Sequence, residues 1–182
     1  MNALLALQTR TAAPRLIEPA PADADLDQIL KAGLRAPDHG MLRPWRFLLV
    51  QGEARRKLGQ LFVSCLQPQT SEAKDKLLDS PMRAPMVIVC VATIKDHPKV
   101  PAIEQICSMA AAIQNMAVAI HALNFGAIWK TGEVAYNPEV KVALGLKASD
   151  AIVGYLYVGT PTTRERVAPD LKMADFVQHW QG

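Results

Sequence analysis

Apolar positions along this chain recur at helical and at strand spacings, and the switches between the two divide it into elements. Leu4, Leu5 and Leu7 predict a short opening helix ending near Arg10, while Thr11 to Ala22 holds three prolines and reads as an extended connection. Leu26, Ile29, Leu30 and Leu34 predict a second helix, capped by Asp23 or Asp25 and stopped by Pro37 close to Arg35. Phe47 to Val50 reads as a buried strand, and Leu58, Leu61, Phe62 and Cys65 form one face of a helix. A polar stretch from Gln67 to Lys76 separates that helix from another short one. Met86 to Ala92 is continuously apolar and rich in valine, which predicts a central strand covered on both faces.

The longest periodic segment carries Ile103, Ile106, Met109, Ile113, Met116, Ile120 and Leu123, with alanines at many other positions. At ~1.5 Å rise per residue such a helix reaches about 30 Å, the size of a small domain, so it should form the backbone of the core. Its small residues suit close packing within the chain or a subunit interface. Asn124 and Gly126 end it, and Ala127 to Lys130 predicts a short strand leading into Thr131 and Gly132. Asn137, Pro138 and Gly145 stand where the cap, first turn and exit of a short helix belong. Ile152 to Val158 predicts the last strand, and the remainder to Gly182 has little apolar periodicity.

With 182 residues, half of them apolar, residues 1–182 fit one globular domain. Twenty Lys and Arg oppose 17 Asp and Glu, a balance of +3 that is scattered along the chain and gives no basic stripe for nucleic acid. Cys65, Cys90 and Cys107 lack Cys-x-x-Cys spacing and read as reduced thiols. No basic residue precedes the short apolar patch at residues 3–7, as a secretory signal would require, so a cytoplasmic location is expected. The Ala102 to Leu123 segment approaches the ~20 residues of a membrane span. Glu104, Gln105, Gln114, Asn115 and His121 make a buried helix the expectation instead, with no membrane partner.

The ten glycines form neither Gly-x-Gly-x-x-Gly nor a phosphate loop, and four scattered histidines show no metal-ligand spacing. There is no Gly-x-Ser-x-Gly elbow for a hydrolytic serine. What remains is a set of basic residues at element ends: Arg10, Arg35, His39 and Lys130. They suit an anionic ligand, and equally an arginine at a helix C-terminus that completes the helix dipole.

Arg35-Ala36-Pro37-Asp38-His39 followed by Arg43-Pro44-Trp45-Arg46-Phe47 resembles the Ala-Pro-Ser and Gln-Pro-Trp-Arg-Phe segments of the nitroreductase family. The blocks Gly126-Ala127-Ile128-Trp129-Lys130-Thr131-Gly132 and Gly154 to Pro161 are similar to that family's flavin-side segment and closing strand, in the same order, closest to its minimal single-domain branch. The resemblance implies an α+β fold, with a mostly antiparallel central sheet flanked by helices, in an intertwined homodimer that holds FMN at its interface. Arg10, Thr11 and Ala12 would lie at the flavin phosphate, and Trp129, Lys130 and Thr131 beside the ring. Arg35 and His39 would reach in from the partner. The family's Arg-Arg-Ser stands here as Arg10-Thr11-Ala12, one cation and one hydroxyl fewer, with Arg164 and Arg166 as candidate replacements. Trp45 reads as structural.

The implied activity is NAD(P)H-dependent hydride transfer to flavin N5 and on to a small-molecule electron acceptor, a nitroaromatic or quinone, by alternating half-reactions. A backbone N–H near Thr131 or Gly132 would meet N5, and Lys130 or Arg35 would favour the negative charge of the reduced ring. The cofactor carries the redox chemistry, so no catalytic side chain is assigned and no metal is expected. A flavin-binding protein without turnover, a flavin-destroying enzyme and a reductive dehalogenase are the alternatives on the same scaffold.

Overall fold

A computed structural model describes residues 1–162 and 167–182 of the protein. Its elements run α1 (Ala3–Thr9), β1 (Leu16–Ile17), α2 (Asp23–Gly33), β2 (Trp45–Gln51), α3 (Glu53–Leu66), α4 (Ser71–Asp79), β3 (Met86–Ala92), α5 (Ala102–Ala122), β4 (Gly126–Lys130), α6 (Glu133–Tyr136), α7 (Pro138–Ala143) and β5 (Ala151–Pro161). The strands form one path β1-β5-β3-β2, with β4 also on β5. Every ladder among the described residues is antiparallel, as the α+β expectation requires.

β3 is wholly buried because it has nothing polar to offer water. Side chains alternate across a strand. Met86, Ile88, Cys90 and Ala92 therefore pack with Ile29 of α2 and with Ile113, Met116 and Ile120 of α5. Val87, Val89 and Val91 pack on the other face with Leu58 and Phe62 of α3 and Val140 of α7. The Phe62 ring meets Tyr155 of β5 edge-on, with centroids 5.5 Å apart.

α5 is long and apolar enough to cross a bilayer by length and composition. In the fold it is the core helix of one face, and its buried polar groups are spoken for. Gln105 holds the 95–100 loop through Lys95 N, Lys95 O and Val100 O. The Ser108 hydroxyl donates to Pro37 O at 2.6 Å and accepts from the Trp45 indole at 2.9 Å, which gives Trp45 the structural role expected of it.

Three local expectations are corrected. Neither Asp23 nor Asp25 caps α2: Ala22 occupies the cap without a side-chain bond, because buried Pro21 sets the entry earlier. Both aspartates sit inside the first turn, complementing the helix dipole. The polar stretch 67–76 is not only a separator, since α4 begins within it, capped by Thr70, whose hydroxyl accepts from Ala73 N at 3.2 Å. α4 buries no residue fully, so it lacks the apolar face that would announce it. It lies tightly on α3 at Gly59, where a Cβ would come within 2.5 Å of Leu78 O. The proline-rich connection also contains β1, whose Leu16 and Ile17 pair with Pro161 and Thr160.

Candidate active site

β4 separates its side chains by direction, and that separation organises the site. Its register places Ile128 against Tyr157, Trp129 against Leu156 and Lys130 against Tyr155. Lys130 consequently rises on the face of Tyr155 and Tyr157, while Trp129 lies on the opposite face with Leu156. The Trp129 indole covers Gly154, where any side chain would collide with it. Its N–H donates to Val153 O at 3.1 Å. That carbonyl is available because the β3–β5 register slips, pairing Cys90 with Gly154 and Val91 with Ile152 and leaving Val153 as a bulge.

On the Lys130 face a cavity of about 480 Å³ opens between the end of β4 and the α3–α4 region. Leu66, Ala73, Leu77 and Val134 form apolar wall, and Lys76, Arg83 and Lys130 bring three cations against one carboxylate, Glu133. Thr131 and Gly132 line it just past the last paired residue of β4, so their backbone groups stand outside the ladder. Gly132 has φ +89°, a conformation that favours glycine. The Tyr155 hydroxyl donates to Val134 O at 3.1 Å and pins that wall to β5.

The Lys130 ammonium lies over the Tyr157 ring, 5.9 Å from its centroid. Burial, and then the nearby Arg83 charge, hold the Lys130 pKa below the ordinary lysine value. Burial raises Tyr157, against smaller opposing effects of a Ser80 hydrogen bond and of Arg83. Two like charges facing one cavity, with no ion pair to either among the described residues, describe a site prepared for an anion.

The other expected site residues lie elsewhere. Arg10, Thr11 and Ala12 leave α1 and run to the start of β4, where Ala13 N donates to Ala127 O at 3.0 Å. Gly126 permits this approach, since a Cβ there would meet Leu16 Cδ2 at 2.8 Å and Ala13 Cβ at 2.9 Å. Arg35 and His39 follow α2, in the helical layer across the sheet from the cavity, and both are exposed. His39 Nδ1 is bonded within its own chain to Glu104 Oε2 at 2.6 Å. Within one chain the cavity therefore gathers Lys130 and Thr131 but not Arg10, Thr11, Ala12, Arg35, His39 or Trp129. Arg164 and Arg166 lie outside the described residues. Arg83 and Tyr157 were missed by sequence reasoning: a single arginine in a proline-flanked turn has no period, and Tyr157 reads as core.

Residues 17–160 match the family model described as Nitroreductase family. The chain belongs to the nitroreductase family. Among its relatives is "Putative NAD(P)H nitroreductase YdjA" of Escherichia coli strain K12, 41% identical over 163 residues that cover 88% of this chain and 89% of that one. The fold of this nitroreductase-family chain is shared with a nitroreductase-like family protein from Bacillus cereus, at a TM-score of 0.86 and 22% identity over 100% of this chain and 97% of that one. It is shared also with a "putative nitroreductase in complex with fmn" from Desulfovibrio desulfuricans, at a TM-score of 0.76 and 21% identity over 100% of this chain and 98% of that one.

Proposed function

We propose that the protein is a cytoplasmic FMN-dependent oxidoreductase that takes a hydride from NADH or NADPH and passes electrons to a small-molecule acceptor such as a nitroaromatic or quinone. The observation that carries this reading is the Lys130–Arg83 cavity at one end of β4, with the Arg10 segment tied to the other end. Ala127 and Lys130 are three residues apart, about 10 Å at ~3.3 Å per residue. That separation suits a ligand with a phosphate at one end and a flat ring at the other. The residues fit FMN: apolar walls for a tricycle, cations for its electron-rich edge, and an arginine with backbone N–H groups for its phosphate. The FMN of the Desulfovibrio relative and the NAD(P)H in the name of YdjA support the same reading.

When bound, FMN supplies hydride acceptance and donation at N5. Arg10, the Thr11 hydroxyl and the Ala12 backbone N–H hold the phosphate. Leu66, Leu77 and Val134 exclude water from the ring, and a backbone N–H of Thr131 or Gly132 donates to it from beyond the strand end. Lys130 favours the reduced form by its charge. Arg35 and His39, being across the sheet, serve the site of a second protomer, so that each single-domain chain holds half of two sites. Glu104 fixes His39 Nδ1 and leaves Nε2 to face that partner. The outward side of α5, with exposed Ile103 and Cys107, and the exposed tail residues Met173, Phe176 and Trp180 supply material for the homodimer interface.

The test is the visible spectrum of protein reconstituted with FMN, followed by anaerobic addition of NADH or NADPH. A bound-flavin spectrum that bleaches is expected. Protein showing neither binding nor bleaching is incompatible with the proposal.

A further inference from the structure

We propose that Arg83, acting with Lys130, is the charge-holding residue of the site, and that it selects the reduced, anionic flavin over the oxidised one. This rests on the proposed FMN reading and assigns a role to a residue outside the family motifs quoted above. In the reductive half-reaction the nicotinamide loses a hydride, two electrons with one hydrogen nucleus, and becomes NAD(P)⁺. The ring gains that hydride, so it carries one more negative charge than before, and this charge is spread over N1 and the C2 carbonyl.

Arg83 closes the short turn that precedes β3 and lines the cavity opposite the end of β4. The groups facing the cavity are Lys76 from α4, Arg83 from the turn, Lys130 from β4, Glu133 from α6 and Tyr157 from β5. Their charges sum in favour of an anion. Lys130 stands at the end of β4 over the Tyr157 ring, but burial and its neighbour lower its pKa, so its charge fails first as pH rises. A guanidinium does not lose its proton in the working range, and its planar fork matches two adjacent acceptors such as a ring nitrogen and a carbonyl oxygen. Arg83 has no ion pair among the described residues, which leaves the fork available.

The experiment titrates apoprotein, anaerobically, with oxidised FMN and with chemically reduced FMN, for the wild type, Arg83→Gln and Arg83→Lys. Arg83 is exposed, so neither change should alter the melting temperature of the apoprotein appreciably. For Arg83→Gln the ratio of the two dissociation constants should move about tenfold against the reduced form, equivalent to about 30 mV in a two-electron potential. Arg83→Lys should recover part of it. A ratio unchanged in Arg83→Gln, or equal weakening of both forms, overturns the assignment while leaving the FMN reading intact. A variant that loses both forms where Arg83→Lys keeps the wild-type ratio also overturns it, since the role is then binding alone. Wild-type protein that binds neither form removes the functional reading, and this role with it.

Discussion

The two faces of the central sheet are built differently. On one, α2 and α5 press against Met86, Ile88, Cys90 and Ala92 in a continuous apolar layer, and the buried polar groups Gln105, Ser108 and His121 are each hydrogen-bonded. On the other, the short helices α4, α6 and α7 and the C-terminal part of α3 cover Val87, Val89 and Val91, and they stop short of closing over the end of β4. One long helix can fill a face, whereas several short ones leave a gap where their ends fail to meet. The gap is where cations gather. Stability should therefore be concentrated on the α5 face and ligand chemistry on the α3–α4 face, and substitutions can separate the two.

The largest expected effect belongs to the α5 face. Ile113 is fully buried between α5 and the sheet, so Ile113→Ala should cost roughly 2–5 kcal/mol of unfolding free energy through lost contacts and an unfilled cavity. Urea denaturation measures this, and a loss below about 1 kcal/mol would mean that the layer is not close-packed. FMN affinity of the molecules still folded should hardly move.

Next comes Arg10→Ala, which should leave folding nearly unchanged and weaken FMN binding by about ten- to a hundredfold, from a charge-assisted contact of roughly 1.5–3 kcal/mol. If Arg35 serves the partner's site, mixing refolded Arg10→Ala with Arg35→Ala should restore one intact site per heterodimer and part of the binding. Mixtures that regain nothing, from two defective parents, would assign both arginines to a single chain.

The strong, long-period elements were legible without coordinates. β3 and α5 have enough apolar positions that one face or both must be buried, and Asn137, whose side chain accepts from Glu139 N and Val140 N, had only one helix to cap. β1 was not legible because two residues cannot display a period, and α4 was not because its polar sequence serves a helix that remains half in water. Lys130 stood out as a basic residue at the end of a short strand, and the family resemblance is what implied a place for it beside the ring. The opposite directions of Trp129 and Lys130 could have been read from strand alternation alone, whereas Arg83 reaches the cavity only through the tertiary crossing of its turn with β4.

The smallest effect concerns acidity and has two opposite slopes. With its folded pKa below the ordinary 10.5, Lys130 holds fewer protons in the folded chain than in the unfolded one between the two values. Apoprotein stability should rise with pH through that window, because the unfolded state binds more protons there. FMN affinity, which needs the charged ammonium, should fall in the same window. Lys130→Arg should flatten both trends, as followed by melting temperature and by fluorescence titration across the alkaline range below the ordinary lysine value. An unchanged pair of slopes would dissociate Lys130 from the site.

The position of β5 in the chain carries a consequence for synthesis. It is the last strand, yet it pairs with β1, β3 and β4, so Leu16 is the direct partner of Pro161 from nearly the other end of the chain. A ribosome extends the chain vectorially, and until Ala151–Pro161 has emerged the valine-rich edge of β3 and the free edge of β4 have no mate. Such non-local pairing slows folding and leaves strand edges open to association. In the nascent protein α3 is made before β3 and α5 directly after it, so both faces of β3 can be sheltered first, leaving its open edge and the whole of β4 waiting for β5.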